Sequence, residues 1–122
     1  MLRSLLSVRL ACAIVIVAAA SALAGPAIAS RSHATATVTV TGTEFKFKLS
    51  PATVKAGKVT FNFVNKGKVM HDFSIAGKKT PVLSPGKSAK LTVTLKKGTK
   101  YPYKCTVDAH AAAGMKGTLA PK

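Results

Sequence analysis

Short runs of two-residue alternation, each closed by a turn signal, constrain this chain more than any other feature. Apolar residues recur at every second position in "ATVTVT" (Val38, Val40), "EFKFKL" (Phe45, Phe47, Leu49), "VTFNFV" (Val59, Phe61, Phe63) and "KLTVTLK" (Leu91, Val93, Leu95). That period puts them on one face of a pleated strand and the intervening lysines and threonines on the other. "HDFSI" continues the pattern. Ser50-Pro51, Ala56-Gly57-Lys58, Asn65-Lys66-Gly67, Ala76-Gly77-Lys78 and Ser84-Pro85-Gly86 punctuate it. No stretch of helical spacing is long enough to compete. The pattern predicts an all-β chain folded as an antiparallel β-sandwich of seven or eight strands, with Phe45 and Phe47 in its core.

The alternation starts only at residue 36, and a different signal precedes it. Residues 1–29 carry a basic start (Arg3, Arg9), an apolar run from Leu10 to Ala24 and an Ala-x-Ala ending at Ala27-Ile28-Ala29. This is the layout of a secretory signal cleaved before Ser30, and Cys12 would leave with it. An uncleaved anchor is the alternative, although crossing a bilayer takes about 20 apolar residues and Gly25-Pro26 interrupts the run. Residues 30–35 read as a short polar tail, and 36–122 as one domain. The roughly 93 residues left after cleavage suffice for one core and no more.

Nineteen lysines and arginines against three acids, Glu44, Asp72 and Asp108, give a formal net charge of +16. Such a field favours acidic proteins or an anionic membrane surface, without choosing between them. Lysines alternating along strands are also what a solvated face and a protected sheet edge require. No nucleic-acid motif accompanies them, so nucleic acid is not an expected partner.

An exported domain of this size often relies on disulfides, yet the mature chain keeps one cysteine, Cys105. It is therefore either a packed thiol or a reactive or ligating one. The stretch "YKCTVDAHAAAGMKGTL" sets His110 five residues after Cys105 and Met115 five after that. If Cys105 ends a strand, one loop can aim a thiolate, an imidazole and a thioether at one point. His71, opening "HDFSI" after the turn-forming "NKGKVM", supplies a second imidazole from another strand end. Met70 would face the other way, and His33 lies in the tail without companions. Two imidazoles and a thiolate with a weak methionine sulfur on the axis suit copper in a one-electron site. Zinc accepts Cys and His but usually closes with a fourth strong ligand, which methionine is not.

The motif Cys105-x4-His110-x4-Met115, with "HDF" about thirty residues upstream, resembles the copper-binding pattern of the cupredoxins, the small blue copper proteins of the plastocyanin and azurin group. The resemblance implies a Greek-key β-sandwich and one type 1 copper ion held by His71, Cys105, His110 and Met115. Two departures stand out. Asp72 follows the first histidine where many relatives have Asn, and Asp108-Ala109 precede the second where many have Pro-Gly.

These features lead to an exported, periplasmic or extracellular electron carrier, expected to be monomeric and to dock on acidic redox proteins through its lysines. It would not be an enzyme, because three histidines leave no second ligand set for a copper oxidase or nitrite reductase. The alternative is a secreted copper chaperone or buffer, although the exposed methionine and histidine clusters common in such proteins are missing from this sequence.

Overall fold

The computed structural model describes residues 24–28 and 34–122. The secretory-signal reading, Cys12 and His33 fall wholly or largely outside these residues. Residues 24–28 are exposed and carry no regular structure.

Eight strands follow from residue 36: β1 (Ala36–Thr43), β2 (Lys46–Ser50), β3 (Gly57–Asn65), β4 (Ser74–Ile75), β5 (Lys78–Lys79), β6 (Ser88–Leu95), β7 (Tyr101–Lys104) and β8 (Lys116–Leu119). They form two four-stranded sheets, ordered β2-β1-β3-β6 and β5-β4-β7-β8. Among the described residues there is no helix. The sandwich is the one the alternation predicts, with one refinement. β1 runs parallel to β3, with Val38 beside Phe61 and Val40 beside Phe63, whereas every other strand pair is antiparallel. Alternation fixes which face a side chain takes and is blind to the direction of the neighbouring strand.

The inward faces of the two sheets meet in one core. Val38, Val40, Val59, Phe61, Phe63, Val93 and Leu95 come from the first sheet, and Ile75 and Leu119 from the second, with Phe73 just before β4. Each fully buried side chain of this kind contributes about 1.5–3 kcal/mol. Phe73 is the hub, its ring centroid 5.3 Å from those of Phe47 and Phe61, 5.7 Å from Tyr103 and 6.2 Å from Phe63.

Two local expectations need correction. Phe45 is not a core residue: it precedes the start of β2, so the strand alternation does not reach it, and 40% of its surface is exposed. Phe47 is only partly buried but does pack against the core. "HDFSI" is a strand only at Ser74–Ile75, while His71 makes an isolated antiparallel bridge with Leu83. The turn after β4 explains its brevity. Ala76 and Gly77 both take left-handed backbone, φ 52° and 74°, which reverses the chain in two residues.

Candidate metal centre

Cys105 lies one residue past β7, on the inward face shared with Tyr101 and Tyr103, and is 1% exposed. Its N–H donates to the carbonyl of Met115 at 3.0 Å, closing the loop between them at its base. Within the loop, Ala113 N–H donates to Ala109 and Met115 N–H to His110, both at 3.0 Å. Ala109 holds φ at 34° and Gly114 at 116°. The loop therefore coils instead of arching into solvent, and His110 hangs from it half-buried.

The chain reaches His71 by a different route. Asn65, fully buried at the end of β3, accepts the Gly67 N–H and donates to the carbonyls of Val69 (2.9 Å) and Leu83 (2.8 Å). Paired backbone bonds of 3.1 and 2.8 Å then fix His71 to Leu83. Next in sequence, buried Asp72 accepts the Thr106 N–H at 2.6 Å with one oxygen and the Thr106 hydroxyl with the other. This clamp ties the residue after His71 to the residue after Cys105. An acceptor-only carboxylate suits two donors, which is what Asp72 achieves where the resemblance leads one to expect Asn.

Three donor atoms converge as a result. His71 Nδ1 and His110 Nδ1 are 3.2 Å apart, Cys105 Sγ is 3.6 Å from His110 Nδ1, and it is 3.9 Å from His71 Nδ1. A circle through three atoms so spaced has a radius of about 2.1 Å, close to the ordinary metal–nitrogen distance and slightly short of metal–sulfur. The triangle thus fits one transition-metal ion among two imidazoles and a thiolate. Met115 is fully buried and joined through its backbone to both Cys105 and His110. A Cβ added at Gly42 would strike the Phe63 ring at 2.7 Å and lie 3.2 Å from the Met115 terminal methyl, so the absence of a side chain there makes room for both.

Burial pushes the Cys105 thiol above its usual pKa, and the Asp72 charge adds to this, against backbone N–H groups of Asp72 and Val107 that favour the thiolate. Protonation is favoured until a cation arrives to compensate the buried negative sulfur. The carboxylate in direct contact with a donor ring is Glu44, in the β1–β2 turn. One of its oxygens accepts the N–H groups of Lys68 (2.6 Å) and Val69 (3.1 Å) and lies 3.1 Å from His71 Nε2. These contacts, the His71 one foremost, lower its pKa from the usual 4.5 to about 2. A depressed carboxyl pKa stabilises the fold above the unfolded value and loses that contribution as pH falls through the folded one. The Glu44 carboxyl carbon resonance of the metal-free protein should accordingly titrate with a midpoint near 2. A midpoint near 4.5 would mean that the contact does not form.

The structure thus brings His71, Cys105 and His110 together, with Met115 at the base of the loop, and leaves Met70 turned outward and 48% exposed. Sequence reasoning missed Glu44, Asn65 and Phe45. The Phe45 ring packs 4.9 Å from His110 and 6.4 Å from His71, part of the surface over the pair. A signal for Glu44 existed: it is the only glutamate in a chain of nineteen basic residues, and the other two acids each adjoin a candidate ligand or lie two residues from one.

Comparison with known proteins agrees with this fold. Residues 10–120 match the family model described as a cupredoxin-like domain. No curated protein sequence matches the chain. Among solved structures, the dithionite-reduced auracyanin of the photosynthetic bacterium Roseiflexus castenholzii superposes with a TM-score of 0.61 at 21% identity, covering 72% of this chain and 98% of that one. Auracyanin B gives 0.59 at 22% identity, over 70% of this chain and 88% of its own. Auracyanin A, a "blue" copper protein of the green thermophilic bacterium Chloroflexus aurantiacus, gives 0.58 at 22%, over 70% and 98%.

Proposed function

The chain belongs to the cupredoxin-like domain family, and on that premise we propose that it is an exported blue copper protein that carries single electrons between redox partners. The observation that carries this reading is the convergence of the two Nδ1 atoms and Cys105 Sγ around a point that fits one metal ion. His71, Cys105, His110 and Met115 would hold one copper ion, which when bound supplies a one-electron couple between Cu(I) and Cu(II).

The chain's own residues do the rest. The Asp72–Thr106 clamp, the Asn65 knot and the His71–Leu83 bridge hold the donors in place from opposite elements, so little needs to move when the charge at the centre changes. His71 and Cys105 are shielded from water. His110 alone of the three donors reaches toward the surface, between the Phe45 ring and the uncharged "AAAG" that follows it. An electron therefore has its shortest way out through His110, at a patch a partner can approach closely. Buried donors also favour metal retention over delivery, which argues against the chaperone reading.

The basic start, apolar run and Ala-x-Ala of residues 1–29 support export to the periplasm or beyond. The net charge of +16 supports docking on acidic redox proteins, with an anionic membrane surface as a second attractive face. Opposite charges accelerate encounter, and salt screens them over about 8 Å at physiological ionic strength. The rate constant for reducing an acidic redox protein should fall by about tenfold or more as salt rises from low to several times physiological strength. A flat salt profile in stopped-flow measurements would remove lysine steering. Repeated ascorbate reduction and reoxidation in the presence of a chelator tests the carrier reading itself: a carrier keeps its copper, and a chaperone surrenders it.

A further inference from the structure

We propose that Glu44 is a positioning residue for the copper ligand His71, fixing its tautomer and weighting the site toward Cu(II). The inference deepens the electron-carrier reading and rests on it.

The tautomer follows from hydrogen-bond bookkeeping at a single atom. Glu44 Oε1 meets three donors, the amides of Lys68 and Val69 and His71 Nε2. An ionised carboxylate only accepts, so Nε2 must carry the proton of a neutral His71 ring. Nδ1, the atom facing Cys105 Sγ and His110 Nδ1, is then a free lone pair. Without Glu44, the ring has nothing to prevent its proton from residing on Nδ1, where it would oppose metal binding. A carboxylate behind a ligating imidazole also raises the basicity of the ring.

The surroundings are shaped to admit this contact. A Cβ at Gly67 would collide with Glu44 Oε1 and lie 2.8 Å from His71 Nε2, so only glycine leaves both atoms where they are. Asn65 in turn fixes Gly67 by accepting its N–H at 2.9 Å. The chain is otherwise almost stripped of acids. Its three carboxylates are Glu44 against His71, Asp72 next to it and Asp108 in the ligand loop. In a protein of net charge +16, whose field disfavours a further positive charge, a carboxylate behind His71 offsets that field where the extra charge of Cu(II) resides. With copper bound, oxidation would send one electron to an oxidised redox partner without moving a proton: Nε2 would keep its hydrogen, and its bond to Glu44 would strengthen as the ring became more acidic.

Two readouts test this, and one needs no metal. In the metal-free protein, nitrogen NMR should show His71 as the Nε2–H tautomer with a proton protected from exchange, and Glu44→Ala should yield mixed tautomers with fast exchange. In the copper-loaded protein, Glu44→Gln, which keeps size and an accepting oxygen while removing charge, should lower the ratio of Cu(II) to Cu(I) affinity by about tenfold, a rise in potential of about 59 mV for one electron. A structural role alone would shift thermal unfolding and leave the ratio alone. An unchanged tautomer in Glu44→Ala, or a Glu44→Gln ratio within twofold of wild type, overturns the proposal. Absence of a blue site in the wild-type protein would instead overturn the copper reading, a result distinguishable from either.

Discussion

Replacing Cys105 with serine is expected to abolish any intense sulfur-to-copper absorption and to weaken Cu(II) binding by about a hundredfold or more, beyond the range typical of losing a residue that merely supports a ligand. A serine hydroxyl stays protonated at neutral pH and offers no soft anion, so two imidazoles and a thioether remain. The fold should survive. Cys105 packs as a small buried side chain at the edge of the core, and serine nearly matches its volume. Copper titration followed in the visible, beside thermal unfolding of the metal-free variant, checks both halves. A variant that keeps the band would place the thiolate ligand elsewhere, which among the described residues has no candidate.

The largest expected loss of stability comes from Phe73→Ala, about 3–5 kcal/mol. Phe73 is fully buried and touches Phe47, Phe61, Phe63 and Tyr103, so truncation opens a void that rings from both sheets cannot easily fill. It also stands two residues from His71, with its N–H on the Thr80 hydroxyl. Small domains are stable by only about 5–15 kcal/mol, and each 1 kcal/mol moves the midpoint by about 4–8 °C at this size. The metal-free variant should melt about 12 °C or more below wild type. Copper should restore part of that loss, because a ligand bound only by the native state stabilises it by an amount that grows with the logarithm of its free concentration. A loss under about 1 kcal/mol would show that the inter-sheet aromatic cluster is not the keystone of the core.

Much of this was legible in the residues, for identifiable reasons. Val38, Val40, Val59, Phe61, Phe63 and Val93 declare their faces because a strand repeats every two residues. Cys105, His110 and Met115 are close in sequence, and one loop must bring them close in space. The pairing of β1 with β3 was hidden, since alternation carries no direction. Phe45 was misplaced because alternation ran one residue beyond the strand that justified it. Glu44 lies 27 residues from His71, in a turn that no local pattern connects to the loop after β3, so no spacing rule could have joined them. What the sequence did hold was the scarcity of acids, and scarcity gains meaning only once the three positions are seen near one centre.

The most direct test is to add one equivalent of Cu(II) to the purified protein and record its visible spectrum through a cycle of reduction and reoxidation. An intense band that saturates at one copper, bleaches with ascorbate, returns on oxidation and resists equimolar zinc is the predicted result, since copper outranks zinc at a fixed set of donors. Colourless binding, or displacement of copper by zinc, would contradict a blue copper centre built from His71, Cys105, His110 and Met115.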